Sequence, residues 1–255
     1  MHHADAPTQP CHLSVIVPVH NERDNVLPLV REIASALSGQ PFEMVFVDDR
    51  SSDDTLAQLV AAQQAFPMLR VLSHAAQSGQ STAVRTGVKA ARGHWIATLD
   101  GDGQNDPADI LKLLAERDAA PPAIRLFAGW RTTRRDTWLR RLSSKIANGV
   151  RGWMLKDQTP DSGCGLKLIE RALFLDLPYF DHMHRFLPAL VRRAGFDVRS
   201  VPVGHRPRTR GVSKYGVWNR LWVGLSDLRG VAWLSRRARV TTVTEHPAAA
   251  SARHS

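Results

Sequence analysis

Two carboxylates stand at the end of an apolar segment in the first half of this 255-residue chain. Residues 95–99 are followed directly by Asp100 and Asp102. Carboxylates so close together repel each other, and a hard divalent cation would relieve that repulsion. Mg²⁺ typically takes one or two carboxylates and completes its shell with water and substrate phosphates. Turns also favour Asp, but a pair at the end of one buried segment points more strongly to a cation site.

Short apolar segments alternate with helical patterns and would position these carboxylates. Apolar, often β-branched runs predict strands at residues 13–17, 42–47, 70–72, 95–99 and 124–128. Helical spacing predicts helices at 25–37, 54–66 and 81–92, and a further helix opened by Pro107. Asp53 is expected to cap the second helix and Gly93 the end of the third. The alternation predicts an α/β fold with a doubly wound, mainly parallel sheet, whose ligands bind beyond the carboxyl ends of the strands.

The charge of the chain is divided unevenly. Residues 1–130 hold 10 basic and 15 acidic side chains, whereas residues 131–255 hold 24 basic and 9 acidic ones. The net charge is +10, and a composition of 43% hydrophobic and 23% charged residues indicates a globular protein rather than a disordered one. Two cysteines exclude a disulfide framework. The basicity leaves nucleic acid, an anionic membrane surface or phosphate-bearing ligands as candidate partners.

Neither a membrane span nor a targeting segment is predicted. No stretch of about 18 uncharged apolar residues occurs, and residues 1–12 lack the basic and apolar regions of a signal peptide. We therefore expect a cytoplasmic protein.

Three segments, at residues 18–22, 47–55 and 100–104, together resemble family-2 glycosyltransferases of the GT-A fold. Residues 78–87 are similar to the helix that this family places after its third strand. The second half narrows the resemblance, because residues 161–167, 183–190 and 205–216 are similar to the dolichol-phosphate mannosyltransferase branch. The resemblance implies one GT-A domain over residues 12–235, divided into a nucleotide-sugar half (12–130) and an acceptor and membrane half (131–235), between flexible tails at 1–11 and 236–255.

Members of that branch move a hexose from a nucleotide sugar to a polyprenyl phosphate. The resemblance therefore implies an inverting, metal-dependent hexosyltransferase that uses GDP-mannose or a UDP-hexose. A family-2 enzyme with a soluble or saccharide acceptor is the alternative, and it would need a general base near the sugar. Nucleic-acid binding is suggested only by the high pI, and no nucleic-acid-binding module is recognisable.

The resemblance also assigns roles to donor-site residues. Asp100, Asp102 and Gln104 would hold Mg²⁺ or Mn²⁺ on the donor diphosphate, where the cation acts as a Lewis acid. The nucleotide pocket would include Glu22 and Asp49 for the base and ribose, with Pro18, His20, Val47, Gly101 and Arg131 around them. Three residues depart from the usual pattern: His20 replaces a Tyr, Gly101 replaces an Ala, and Gly103 replaces a Leu.

The acceptor implied by the resemblance is a lipid phosphate. A phosphate monoester has a second pKa of about 6, so it is already mostly ionised at neutral pH and needs no dedicated general base. Arg208 and Lys214 would hold the donor and acceptor phosphates close together. Asp161 either orients acceptor or sugar, or caps a turn. Cys164 is expected to be a packed residue, and His184 either faces the site or is structural.

Tryptophan and basic residues recur at helical spacing in residues 136–155, 217–225 and 231–234. Five of the seven tryptophans lie in these stretches. Basic helices with Trp and Leu suit the interface of an anionic membrane. The pattern predicts helices that pack partly on the sheet and partly meet lipid. We therefore expect peripheral association with the cytoplasmic face of a membrane, with or without a membrane partner protein.

Overall fold

The computed structural model describes residues 12–132, 149, 152, 154–155, 159–207, 217–239, 241 and 244. Seven strands in these residues form one sheet: β1 (Leu13–Val19), β2 (Phe42–Asp48), β3 (Leu69–Ser73), β4 (Trp95–Thr98), β5 (Ile124–Arg131), β6 (Lys167–Glu170) and β7 (Asp197–Val203). Their order across the sheet is β3-β2-β1-β4-β6-β5-β7. The helices are α1 (Arg23–Ala36), α2 (Thr55–Ala62), α3 (Gln80–Ala90), α4 (Asp109–Asp118), α5 (Arg171–Asp176), α6 (Leu187–Arg193) and α7 (Val217–Arg236), with a 3₁₀ turn at Met183–Arg185.

The strand directions bring most carboxyl ends to one edge of the sheet. Strands β1 to β4 are parallel, β6 is antiparallel to both β4 and β5, and β5 is parallel to β7. Strand β5 therefore runs in the same direction as β4. As a result, the amino end of β6 lies at the same edge as the carboxyl ends of the other six strands. The prediction of a mainly parallel, doubly wound α/β sheet is confirmed.

The sheet separates two apolar cores because successive strand residues point to opposite faces. Along β1, Val15 and Val17 join the core under α1, α2 and α4, whereas Ile16 joins the core under α3 and the later helices. All three side chains are fully buried. Burial on both faces explains why the central strands are nearly continuous apolar runs in the sequence.

Two local predictions have different outcomes. Asp53 is not the N-cap residue of α2, which is Asp54, but its Oδ1 accepts the N–H of Thr55, the first helical residue, at 3.0 Å. The prediction for Gly93 is wrong, because α3 ends at Ala90 and the chain is already extended at Ala91. Gly93 instead packs against β1, where a Cβ would lie 2.6 Å from the backbone nitrogen of Ser14. A close approach of two backbone segments, and not a helix end, requires this glycine.

The C-terminal helix α7 has a buried face and an exposed face. Leu228, Val231 and Ala232 are buried with α6, whereas Arg229 and Trp233 are exposed. No helix within the described part of the chain is long and apolar enough to cross a membrane.

Candidate active site

The carboxylate of Asp49, directly after β2, is held by three hydrogen bonds. Its Oδ1 accepts the N–H of Ser78 at 2.8 Å and faces His74 Nδ1 at 2.8 Å, and its Oδ2 accepts the N–H of Gly79 at 2.8 Å. Burial alone would raise the pKa of Asp49, but the hydrogen bonds from His74, Ser78 and Gly79 together lower it. Asp49 therefore remains ionised and ties β2 to the loop that begins α3.

Four other residues predicted for the nucleotide pocket lie on β1, β2 and the loop after β1, near Asp49. Pro18 and Val47 are register partners in β1 and β2. The ring of His20 is fixed because its Nδ1 donates to the carbonyl oxygen of Asp49 at 2.9 Å, and Glu22 Oε2 accepts the side-chain amide of Asn25 at 2.6 Å. The side chain of Val47 is fully buried in the core. Val47 therefore supports the strand from within and does not line an open surface.

Asp100 lies two residues after the end of β4, in a less favourable environment. Gln80 Nε2 donates to its Oδ1 at 2.9 Å. Burial and the charge of Asp102 raise the pKa of Asp100, although the charges of Lys167 and Arg131 oppose the increase. The positive charges of Lys167 and Arg131 therefore do not fully offset the burial of Asp100 and the negative charge of Asp102. This is the environment that a bound divalent cation would stabilise.

Two glycines let the chain pack closely around Asp100. A Cβ on Gly165 would overlap the Asp100 carboxylate. A Cβ on Gly101 would lie 2.6 Å from Val19 Cγ1 and 3.0 Å from the carbonyl oxygen of Pro18. The end of β1 therefore leaves no room for the Ala that is more usual at the position of Gly101.

The loop after Asp100 is fixed by its own backbone and by Arg206. Asp102 Oδ1 accepts the N–H of Gln104 at 3.1 Å. The carbonyl oxygen of Gln104 accepts the N–H of Arg206 at 2.9 Å. The guanidinium of Arg206 pairs with Glu32 at 2.6 Å and with Asp106 at 3.0 Å. The start of the basic segment is therefore attached to the loop that carries Asp102.

Arg131 and Asp161 form a two-pronged ion pair at the end of β5. Arg131 Nε lies 2.6 Å from Asp161 Oδ2, and Nη2 lies 2.9 Å from Oδ1. Burial would lower the pKa of Arg131, but the hydrogen bonds and charge of Asp161 raise it. Asp161 was expected to act on a substrate or to cap a turn, and its carboxylate here orients Arg131. Arg131 is correspondingly a paired, largely buried cation and not a solvated one.

Lys167 is a buried cation that sequence reasoning did not single out as a site residue. It begins β6, is 3% exposed, and donates from Nζ to the carbonyl oxygen of Cys164. Burial lowers the pKa of Lys167, and the nearby Asp100 and Asp161 act in the opposite direction. A lysine at the start of a short strand, next to Leu168 and Ile169, was the available signal, since a buried lysine requires acidic or carbonyl partners.

The remaining predicted residues divide into those described and those not described. Cys164 is fully buried, and burial raises the pKa of its thiol, so the expectation of a packed residue is confirmed. Arg208 and Lys214, the predicted phosphate-binding residues, lie outside the described residues. So do most of residues 136–155, where one amphipathic helix was predicted.

The site supplies two carboxylates for a cation and not a complete ligand shell. Within the described residues no three His, Cys, Asp or Glu side chains come together in a way that would hold a metal ion. Asp100 and Asp102 nevertheless suit an ion such as Mg²⁺, which keeps waters and binds substrate phosphates besides one or two carboxylates. The raised pKa of Asp100 is consistent with this use.

A model of "Glycosyl transferase family 2" matches residues 14–177. The chain belongs to this family. Among curated relatives, this family-2 glycosyltransferase is 35% identical over 237 residues to dodecaprenyl-phosphate galacturonate synthase from Rhizobium johnstonii, a match that covers 90% of this chain and 69% of the relative. It is 31% identical over 209 residues to undecaprenyl-phosphate 4-deoxy-4-formamido-L-arabinose transferase from Edwardsiella ictaluri, covering 80% and 63% of the two chains. The chain thus spans about two thirds of the length of these relatives.

Solved structures confirm the GT-A fold. A mannosyltransferase from Pyrobaculum calidifontis, in complex with GDP-Man and Mn²⁺, matches with a TM-score of 0.67 and 20% identity over 93% of this chain and 68% of that chain. Glucosyl-3-phosphoglycerate synthase from Mycobacterium tuberculosis, in complex with Mn²⁺, UDP and glucosyl-3-phosphoglycerate, matches with a TM-score of 0.67 and 18% identity over 91% and 81%. At these identities the likeness concerns the fold alone.

Proposed function

We propose that this family-2 glycosyltransferase moves a hexose from a nucleotide sugar to the phosphate of a polyprenyl phosphate. The observation that carries the proposal is the pair Asp100 and Asp102 at the end of β4, beside the nucleotide-pocket residues of β1 and β2. Both curated relatives carry a sugar and a polyprenyl phosphate in their names: one is a dodecaprenyl-phosphate galacturonate synthase, and the other is an undecaprenyl-phosphate 4-deoxy-4-formamido-L-arabinose transferase. Site chemistry and the names of the relatives both support this donor and acceptor.

Asp100, Asp102 and Gln104 are the residues that would hold Mg²⁺ or Mn²⁺. When bound, the cation would neutralise the diphosphate leaving group of the donor. The protein's own contribution is to keep Asp100 in place through Gln80 and through the close packing of Gly165.

The described cleft offers no strong base to activate a hydroxyl acceptor. Asp161 is occupied by Arg131, and burial lowers the pKa of His184 well below 6.5. A phosphate acceptor fits this site because it arrives already ionised. We propose that Arg208 and Lys214 hold that phosphate, and that attack opposite the leaving group inverts the anomeric carbon.

The test is a donor screen with radiolabelled GDP-mannose, UDP-glucose, UDP-N-acetylglucosamine and UDP-galacturonate, using Mn²⁺ or Mg²⁺ and undecaprenyl phosphate. We expect a lipid-linked product with one of these donors, and the donor that gives it identifies the transferred sugar. Asp102→Ala should abolish the product, whereas Asp118→Ala, at an exposed aspartate of α4, should not. Transfer by Asp102→Ala at the wild-type rate would contradict the metal assignment. Transfer to a saccharide and not to the lipid phosphate would favour the alternative acceptor.

We also propose that the exposed face of α7 meets an anionic membrane surface on the cytoplasmic side. Trp233 is 58% exposed, with the Arg237 guanidinium 5.4 Å from its ring centroid, and Arg229 and Arg236 are exposed on the same helix. An aromatic side chain among cations suits the headgroup region of an anionic bilayer. Each such cation contributes about 1 kcal/mol near the surface.

Sedimentation with vesicles of phosphatidylglycerol and phosphatidylcholine tests this surface. We expect binding at low salt that weakens at high salt, and weaker binding after Trp233→Ala. Trp130→Ala is the matched control, because Trp130 is also exposed but lies on β5. Absence of binding at low salt would remove the membrane proposal without affecting the donor site.

A further inference from the structure

A histidine and a serine far apart in the sequence meet beside the proposed metal site. His184, in the 3₁₀ turn, has its Nδ1 2.7 Å from the hydroxyl of Ser81 at the start of α3. The backbone N–H of His184 also donates to that hydroxyl, at 3.4 Å. Ser81 is 1% exposed and His184 is partly exposed. The imidazole is therefore held by a buried hydroxyl while part of the residue remains accessible.

The hydrogen bonds determine where the imidazole proton lies. Ser81 is buried, and among the described residues Nδ1 of His184 is the one acceptor within reach of its hydroxyl proton, so we assign the hydroxyl as the donor to Nδ1 and as the acceptor of the backbone N–H of His184. A neutral ring that accepts at Nδ1 carries its proton on Nε2. Burial, together with the charges of Lys167, Arg185 and His182, lowers the pKa of His184. The ring is thus a neutral donor, and Nε2 makes no hydrogen bond with any residue of the described ranges.

The position of His184 follows from α3 and from the order of the strands. Gln80, the residue before Ser81, donates to Asp100, so one turn of α3 contacts both Asp100 and His184. The charge of Lys167, at the start of β6, acts on both groups. In the sheet order the nucleotide residues follow β2 and β1, Asp100 follows β4, and β6 comes next. A donor laid across these strand ends places its base at β2 and β1, its diphosphate at β4 and its sugar towards β6.

We propose that His184 donates an Nε2–H hydrogen bond to an oxygen of the transferred sugar, and that Ser81 positions the ring for this contact. The inference rests on the proposed function. It adds a residue that contacts the sugar of the donor and not its nucleotide. The acceptor oxygen belongs to a hydroxyl group or, in a uronic acid donor, to a carboxylate. Both are hydrogen-bond acceptors, and the carboxylate would form the stronger bond.

The experiment compares binding of a nucleotide sugar with binding of its nucleoside diphosphate, by calorimetry with Mn²⁺. The probes are UDP, UDP-glucose, UDP-galacturonate, GDP and GDP-mannose. We expect His184→Ala to weaken binding of the nucleotide sugar about tenfold, as for loss of one hydrogen bond in the site, with nucleoside diphosphate binding unchanged. A larger loss for UDP-galacturonate than for UDP-glucose would assign the contact to a carboxylate, and an equal loss would assign it to a hydroxyl.

Three further variants complete the test. Ser81→Ala should weaken sugar-dependent binding by a smaller factor, and His184→Gln, which keeps an amide N–H, should recover part of it. Thr82→Ala is the matched control, because this neighbouring hydroxyl bonds Tyr179 and Ser78 and not His184. Thermal unfolding checks that each variant is folded. If His184→Ala does not fold, Ser81→Ala and His184→Gln are enough to test the contact.

Two results would overturn the inference. One is an equal loss of nucleoside diphosphate and nucleotide-sugar binding in His184→Ala, which would place His184 on the nucleotide. The other is wild-type binding of both ligands in that variant. A wild-type protein that binds none of the five probes would instead overturn the proposed function, so the two failures are distinguishable.

Discussion

Asp49 and Asp100 occupy equivalent places at the ends of two parallel strands, yet their environments are opposite. Asp49 receives three hydrogen bonds, and these lower its pKa. Asp100 receives one hydrogen bond from Gln80 and faces Asp102, and burial with that repulsion raises its pKa. Both residues follow a buried strand in the sequence. The number of hydrogen-bond partners and the neighbouring charge of Asp102 distinguish them.

The difference separates a carboxylate that the fold satisfies from one that suits the cation proposed above. A satisfied buried carboxylate stabilises the folded state when ionised, and an unsatisfied one destabilises it. Asp49 is accordingly a structural anchor with capacity left to contact a nucleotide. Asp100 carries a stability cost that a bound cation would remove.

The largest effect is expected for Asp100→Asn. Activity should fall about 1,000-fold, because a cation on the leaving group is worth several kcal/mol to the transition state. The free energy of unfolding, measured in EDTA, should stay the same or rise, since the change removes the repulsion with Asp102. A clear loss of stability would show that Asp100 is satisfied after all, and the comparison with Asp49 would fail.

Gly165→Ala should separate activity from stability. The new Cβ would overlap the Asp100 carboxylate, which must rotate away, so activity should fall about 100-fold, as expected for a displacement of about 1 Å in the site. Unfolding should change by about 1 kcal/mol or less, the usual cost of an off-rotamer side chain. Gly163→Ala is the control, because its Cβ would lie 3.5 Å from Arg131 Nη2, an ordinary contact. Full activity in Gly165→Ala would mean that the Asp100 position is not critical.

Asp49→Asn should show the opposite pattern to Asp100→Asn. The new amide group would face backbone N–H donors at Ser78 or Gly79, and a buried donor left without an acceptor costs about 1–3 kcal/mol. Denaturant unfolding measures this loss, and activity should fall mainly through a higher KM for the donor. Asp54→Asn serves as control because Asp54 is exposed and its side chain makes no capping bond. A stability equal to wild type would contradict the anchoring role.

Acidification should distinguish the two aspartates again, in metal-free protein. The folded pKa of Asp100 is above 3.8, so its penalty disappears as the pH falls through that raised pKa. The folded pKa of Asp49 is below 3.8, so its contribution persists above 3.8 and is lost as the pH falls further. In a pH series of unfolding free energies, the difference between Asp100→Asn and wild type should therefore vanish at a higher pH than the deficit of Asp49→Asn.

The smallest effect is expected for Gln80→Ala, which removes the one side-chain hydrogen bond that Asp100 receives from Gln80. Activity should fall about threefold to tenfold, as for one hydrogen bond in a site, with little change in stability. Steady-state rates at several Mn²⁺ concentrations measure the effect, which should be larger at low Mn²⁺. An effect equal to that of Asp100→Asn would mean that Gln80 has a larger role than orienting this carboxylate.

Local patterns in the sequence were enough to predict the first five strands and the acidic residues at one edge of the sheet. Apolar runs and helical spacing are properties of neighbouring residues, so β1 and α1 are readable directly. The later strands β6 and β7 were not predicted, because β6 has four residues of which two are charged, and β7 has polar residues and a proline between its valines. The bidentate pair of Arg131 and Asp161 joins residues 30 apart, and the pair of Ser81 and His184 joins residues 103 apart. Only the folded sheet brings such partners together.

The contacts of Arg206 bear on experiments that would exchange residues 205–216, the proposed acceptor segment. Its guanidinium bridges Glu32 of α1 and Asp106, and its backbone N–H bonds Gln104. A segment from a relative, placed at residues 205–216, would therefore have to form ion pairs with the carboxylates of Glu32 and Asp106, which are distant in sequence. A chimaera should acquire the acceptor preference of the relative only when residues 32 and 106 are exchanged together with residues 205–216. The unit to exchange is therefore discontinuous in sequence.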